Sequence, residues 1–328
     1  MRDGADASDT RTVGVARARA LGGPRHAVCR RTTARTAFTA QRGRRPHGDG
    51  DGRASGIGRA AAVEIGRAGG TVLLVARSTA RLEDTAREIE ASHGLAEVYR
   101  ADLSAEASID ELLERVLTEH PTIDVLVNNA GRSIRRSLAL SYDRFHDFER
   151  TMQLNYFGPV KLILGLLPDM RERRSGQIVN VSTLGVQTNA PRFSAYIASK
   201  AALDAFTRVA AAECADDGVQ FTTIHMPLVR TPMSAPTKLY ERFPALTPEQ
   251  AAQLICDAIR TRADHVGPHL GAFTELGHAI SPAVAKEVLG AAYRVFPDSA
   301  AARGEVDESD SASVLQRAVA QLLRGAYW

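Results

Sequence analysis

The 328-residue chain is poor in cysteine, tryptophan and aromatic side chains: it has three cysteines, one tryptophan and an aromatic fraction of 5%. Cys29, Cys214 and Cys256 lie far apart and without metal-ligand spacing, which excludes a disulfide framework or a cysteine zinc site and fits a reducing cytoplasm. Long hydrophobic runs are also absent. The longest candidates, Val72 to Ala76 and Leu162 to Leu167, fall well short of the ~20 residues a membrane-spanning helix requires. A formal net charge of +3 is small for this length and makes no case for nucleic acid as a partner. What remains is an ordinary composition, 44% hydrophobic, enough for the core of one large α/β domain with extensions.

Residues 1 to about 46 show neither helical nor strand periodicity and few large apolar side chains, so disorder is expected there. An arginine-rich leader peptide is one reading of that segment, but Asp3, Asp6 and Asp9 count against it. From Ser55 the pattern changes. Ile57 to Ala68 reads as a helix that stops at Gly69-Gly70. The apolar run TVLLVA (71–76) and the strand-like stretches IDVLV (123–127), QIVNV (177–181) and VQFTTIH (219–225) alternate with helical stretches. This pattern predicts an α/β fold: a Rossmann-type, doubly wound parallel sheet in a single domain spanning residues 47–300. Residues 228–265 form a segment expected to cover the site. Within it, Thr247-Pro248-Glu249-Gln250 carries a helix-start signal. An acidic linker and a C-terminal helix, 312–324, with its apolar stripe from Val314 to Leu323, complete the chain (301–328).

Tyr196 and Lys200 are four residues apart, which on a helix places phenol and ammonium on one face. A neighbouring cation favours phenolate, so such a tyrosine can give a proton to an oxygen that becomes negative as hydride arrives. The spacing alone is weak, and an exposed helical pair is the bland alternative. Other residues strengthen it. Thr183 follows the strand QIVNV, and its hydroxyl can hold a substrate oxygen. Asn128 to Gly131 (NNAG) follow IDVLV at the carboxyl edge of the sheet, where open α/β folds bind ligands. Asn155 lies in a helical stretch. Gly52, Ser55, Gly56, Ile57 and Gly58 open the first helix, where glycines admit a pyrophosphate to the positive helix end. At the end of the second strand, where an acid would select the ribose 2′-hydroxyl, stands Ala76, followed by Arg77, whose guanidinium can pair with a 2′-phosphate, so NADP(H) is expected over NAD(H).

Taken together and in order, these motifs resemble the short-chain dehydrogenase/reductase family. The resemblance runs from about Gly52 to Met233. It implies cofactor contacts at Gly52, Ser55, Gly56, Ile57, Gly58, Arg77, Asp102, Leu103, Asn129, Ala130, Gly131, Tyr196, Lys200, Val229 and Thr231. It implies catalysis by Tyr196, Lys200, Thr183 and Asn155, with Asn155 positioning a water in a proton relay. The stretches NNAGRSIRRSL, DRFHDFERTMQLNYFG, RFSAYIASKAALDAF and MPLVRTPMSAPTKLY look like the bacterial fatty acyl-CoA reductases of the family. That similarity implies NADPH-dependent reduction of long-chain acyl-CoA to fatty aldehyde, with an acyl-CoA or aldehyde as the small-molecule substrate. A cytoplasmic homo-oligomer is expected. A general carbonyl or alcohol reductase, and a catalytically dead relative, are the alternatives. Arg132, Arg135 and Arg136 either meet the phosphates of a CoA ester or form a solvated basic loop.

Three departures from the family pattern stand out. Thr183 replaces the usual serine, with Ser182 beside it expected to face the opposite way. Met226-Pro227 replaces a Pro-Gly pair, a feature shared with the acyl-CoA reductases. The first strand is missing: Arg45 to Gly52 is rich in glycine and aspartate and contains a proline, all poor strand formers. A one-base shift across the codons for His47 to Ala54 permits Thr-Val-Met-Val-Thr-Gly-Ala, an apolar strand leading into Ser55-Gly-Ile-Gly58. Residues 1 to about 53 are therefore either an out-of-frame translation or a genuine extension. Resequencing the DNA around codons 45 to 55 separates the two. An unchanged frame with abundant full-length product would defeat the frameshift.

Overall fold

The computed structural model describes residues 36–40, 56–235, 240, 243–298 and 300–303. Seven parallel strands form one sheet: β1 (Thr36–Ala40), β2 (Thr71–Ala76), β3 (Leu95–Arg100), β4 (Val125–Asn128), β5 (Gly176–Thr183), β6 (Val219–Met226) and β7 (His265–Val266). Their order is β3-β2-β1-β4-β5-β6-β7. The chain steps outward from β1 to β3, then returns to build the other half from β4. The strand order thus reverses beside β1, and a crevice opens at the carboxyl ends of the strands there.

Side chains in β2 alternate between two cores, as the period of a strand requires. Val72, Leu74 and Ala76 pack with α1 (Ile57–Arg67), α2 (Thr79–Ala91) and α8 (Pro248–Thr261). Leu73 and Val75 pack with α3 (Glu106–Glu119), α5 (Gly158–Glu172) and α7 (Ser194–Glu213) on the other face. Helices on both faces explain why TVLLVA is a continuous apolar run. Each fully buried Val, Leu or Ile contributes about 1.5–3 kcal/mol. The capping box expected at Thr247 is present: Thr247 Oγ1 accepts from the Gln250 amide, and the Gln250 side chain accepts from the Thr247 amide.

The structure differs from the sequence reading in three places. First, Thr36–Ala40, inside the stretch expected to be disordered, is an interior strand of the sheet between β2 and β4. It pairs with β2 (Thr36 with Thr71) and β4 (Ala37 with Val125). TAFTA has β-forming threonine and phenylalanine but is too short and polar to register as an apolar run. Residues 41–55, including Gly52, Ser55 and the run read as a degraded strand, lie outside the described residues, as does the C-terminal helix at 312–324. Second, the helical stretches around Asn155 form one run: α4 (Phe145–Met152), a π-helical turn at Gln153–Phe157, then α5. Third, α9 (His269–Ile280) and α10 (Pro282–Val295) arise where no element had been assigned. Short α6 (Leu184–Thr188), α11 (Ala300–Arg303) and a 3-10 turn at Leu138–Leu140 complete the described elements. Among the described residues no helix is long and apolar enough to cross a membrane.

Where α5 begins, Gly158 packs directly under the chain after β3: an added Cβ would stand 2.5 Å from the carbonyl oxygen of Leu103. That oxygen belongs to the backbone and cannot rotate away. Gly158→Ala should therefore lower unfolding stability by about 1–3 kcal/mol in urea denaturation, the usual cost of overpacking.

Candidate active site

The carboxyl ends of β4 and β5, the N-terminal half of α7 and the π-helical turn converge on one side of the crevice. Tyr196 and Lys200 lie one turn apart on α7. Tyr196 is half-buried, with its ring edge-on to Phe193. Lys200 is 3% exposed, and its Nζ donates to the carbonyl of Val181 at 2.7 Å. Burial pushes the Lys200 ammonium down to about 8, and the negative charge of Asp204 opposes that fall.

Asn155 is fully buried in the π-helical turn. Its Oδ1 accepts from the Arg132 amide (2.7 Å), while its Nδ2 donates to the Arg132 carbonyl and Ser199 Oγ (2.9 Å each). This clamps the loop after NNAG against α7. A Cβ on Gly131 would lie 3.3 Å from Asn155 Oδ1 and 3.6 Å from Lys200 Nζ, so glycine leaves room beside the lysine. Asn128 is held lower in the sheet by Asn180 (2.8 Å), and the Asn129 amide donates to Val127. Ala130 is buried beside them.

Thr183 ends β5 and caps α6. Its Oγ1 accepts from the Gly185 amide at 3.1 Å, which leaves its own hydroxyl hydrogen to be donated. Ser182 is committed elsewhere: it is 3% exposed and donates to Asp204 Oδ2 at 2.9 Å.

On the other side of the crevice, α1 starts at Ile57 after Gly56, with no side-chain cap and no acid in its first turn. A first turn of that kind suits an anionic ligand group. Gly58 is buried in that turn. Arg77 follows β2 and pairs with Asp102, after β3, at 3.9 Å. Burial works to raise the Asp102 carboxyl, but hydrogen bonds from Ser104 and the charges of Arg77 and Arg132 hold it below the usual range. Leu103 is buried next to it. After β6, Val229 is buried, and Ser234 Oγ donates to the carbonyls of Val229 and Thr231. The crevice thus has an anion-accepting end, a glycine-lined middle and a lysine-tyrosine end, a layout that fits an extended dinucleotide.

Several residues depart from, or add to, the sequence expectation. Arg135 and Arg136 do not form a solvated loop. Arg135 Nη2 donates to the Pro297 carbonyl (2.6 Å), and Arg136 bonds the Ala302 carbonyl (3.3 Å) and lies 3.7 Å from Asp147. They tie the segment after α10 to the loop after β4, as does Asp298, which accepts from the Ser137 amide. Tyr240 was not foreseen. Burial, countered by Arg135 and reinforced by Tyr196, pushes its hydroxyl up to about 12. Its only sequence signal is membership of the covering segment. A cavity of about 540 Å³ opens on the Ser194, Ile197 and Ala198 face of α7, away from Tyr196 and Lys200, and is not the reaction crevice.

Loss of the Arg135 and Arg136 side chains together should raise amide hydrogen exchange at residues 297–303 by roughly tenfold, on the order of one hydrogen bond's net worth. Hydrogen-exchange mass spectrometry of the double alanine variant reads this directly.

Comparison with known proteins agrees with this architecture. The family model described as short chain dehydrogenase matches residues 51–241. An uncharacterised oxidoreductase of Mycobacterium bovis is 51% identical over 282 residues, 84% of this chain and 83% of that protein. A fatty acyl-CoA reductase of Acinetobacter baylyi is 49% identical over 277 residues, 84% of this chain and 93% of that protein. Among solved structures, a metagenomic short-chain oxidoreductase in complex with NADP aligns with a TM-score of 0.56 at 28% identity, covering 70% of this chain and 92% of that one. With the motifs, the parallel sheet and the crevice already in place, the chain belongs to the short-chain dehydrogenase family and is an NAD(P)-dependent oxidoreductase acting on a small molecule.

Proposed function

We propose that the protein reduces a long-chain fatty acyl-CoA to the fatty aldehyde, with NADPH as the preferred cofactor. The observation that carries this reading is the cluster of Tyr196, buried Lys200, Thr183 and the Asn155-clamped Gly131 at one end of the crevice. Similarity to the Acinetobacter baylyi acyl-CoA reductase along 93% of that protein's length supports the substrate class.

Bound NADPH supplies the hydride. Thr183, already accepting from Gly185, directs its hydroxyl hydrogen at the thioester oxygen, and the Tyr196 hydroxyl does the same as negative charge builds there. Collapse of that oxyanion breaks the carbon–sulfur bond and leaves the aldehyde, and the CoA thiolate takes up a proton. Lys200 holds positive charge next to the phenol and holds the cofactor ribose. Asn155 spends its side chain on Arg132 and Ser199. A part in a water relay therefore falls to its main-chain carbonyl. Arg77 provides the guanidinium for a 2′-phosphate, exchanging its partner Asp102 for the stronger charge. A general carbonyl reductase is the second reading and rests on the same cluster.

NADPH oxidation with palmitoyl-CoA, fatty aldehydes and steroid ketones tests the assignment. Turnover of palmitoyl-CoA with release of free CoA is expected, and turnover of ketones alone would contradict it. Tyr196→Phe should reduce kcat by about 10²-fold or more, the usual worth of a general acid. Arg77→Ala should raise the KM for NADPH at least tenfold and barely change that for NADH. The pH profile follows from Lys200: its cation is present below about 8 and is lost as pH rises through that value, so the rate should fall on the alkaline side from about pH 8.

A further inference from the structure

Behind Lys200, on the side away from the crevice, lies a chain of polar side chains that the reaction above does not use. Asp204 sits one turn past Lys200 on α7, 2% exposed in the core. Its Oδ2 accepts from Ser182 Oγ on β5 and from His225 Nε2 on β6, both at 2.9 Å. His225 Nδ1 lies 2.7 Å from His265 Nε2 on β7. His225 is 8% exposed, whereas His265 reaches solvent at the edge strand. Gly267 makes room for the two rings, since an added Cβ would stand 3.1 Å from His225 Cβ and 3.3 Å from His265 Cε1.

The proton order in this chain follows from chemistry. A carboxylate can only accept, so His225 Nε2 carries the hydrogen. With the His225 ring neutral, Nδ1 is an acceptor and His265 Nε2 donates to it. Each donor points toward Asp204. The arrangement concentrates negative charge at the one carboxylate facing Lys200 from its own helix. A buried anion with two donors is far from a satisfied surface acid. Its second oxygen, Oδ1, is buried without a hydrogen-bond partner. Leaving a charged group in that state is costly unless an opposite charge lies close by.

We propose that Asp204, held by Ser182, His225 and His265, is a positioning residue that keeps the ammonium of Lys200 charged. The inference rests on Lys200 acting with Tyr196. Burial alone drives the lysine toward its neutral form, and Asp204 is the group that resists this. The ionisable groups around the network are Lys200 and Asp204 on α7, His225 on β6, His265 on β7 and Glu275 on α9. Glu275 accepts from Gln187 at 3.2 Å and acts on His265 through its charge. Burial and the neighbouring His225 push the His265 imidazole down from its usual range, which favours its neutral form.

The test is the pH profile of NADPH oxidation with the best carbonyl substrate, with Tyr196→Phe as the control. A control as active as wild type would defeat the tyrosine-lysine reading itself, independently of Asp204. With that control inactive, Asp204→Asn should move the alkaline limb to lower pH by about one unit, or about tenfold less activity on the alkaline side, with saturating activity near pH 6 retained. A folded Asp204→Asn protein whose profile superposes on wild type would overturn the proposal. If Asp204→Asn does not fold, the comparison passes to His225. His225→Leu removes a donor to the carboxylate and should shift the limb the same way, whereas His225→Gln keeps a donor and should restore it. Identical profiles for the leucine and glutamine variants would equally overturn the proposal.

Discussion

A lysine ammonium enclosed in protein is the feature around which this molecule is organised. An ion of that kind loses most of its hydration, a cost of several kcal/mol that only fixed dipoles and opposite charge can offset. Here the Val181 carbonyl at 2.7 Å supplies the dipole and Asp204 the charge. Both depend on the sheet. Val181 is placed by the register of β5 against β6, and the partners of Asp204 come from the ends of the same two strands. The parallel pairing of β5 with β6 is thus the frame that fixes the electrostatics of α7.

The same frame separates two tasks across the crevice. One side presents the start of α1 and the Arg77–Asp102 pair, suited to the charged end of a dinucleotide. The other presents Thr183, Tyr196 and Lys200, suited to carbonyl chemistry. Between them Asn155 pins the loop after β4, and the π-helical turn is what brings its side chain inward. Such turns are uncommon in helices and recur at functional sites. Beyond the crevice, Arg135, Arg136 and Arg192 fasten the segment after α10 to the body of the protein. Arg192 does so by pairing with Asp298 at 3.3 Å and stacking on Tyr293.

Much of this was legible in the sequence because the relevant signals are local. TVLLVA is a continuous apolar run only because both faces of the sheet are covered, and VLV in IDVLV is apolar for the same reason. Thr247-Pro248-Glu249-Gln250 named its own helix start. The four-residue spacing of Tyr196 and Lys200 sufficed to place them on one face. What escaped was set by long-range contact. The strand at Thr36–Ala40 has no apolar run to announce it and is defined by the neighbours it pairs with. Nothing in SKAALDAF marks Asp204 as a buried anion until β6 brings His225 to it, 21 residues along the chain. The arginines after NNAG carry charge in any local reading. Only the fold reveals that two of them hold backbone carbonyls more than 160 residues away. The segment containing α9 and α10 carries Phe273, Leu276 and Ile280, then Val284 and Val288, at helical spacing, but the fold leaves this stripe exposed and not in the core.

The most direct measurement is the titration of Lys200 itself. The chain has four lysines, Lys161, Lys200, Lys238 and Lys286, so carbon-13 NMR of the lysine ε positions gives few signals, and a Lys200→Met variant identifies the one that matters. One signal should titrate at about 8 and vanish in the variant. Four signals all titrating near the ordinary lysine value of ~10.4 would contradict the account.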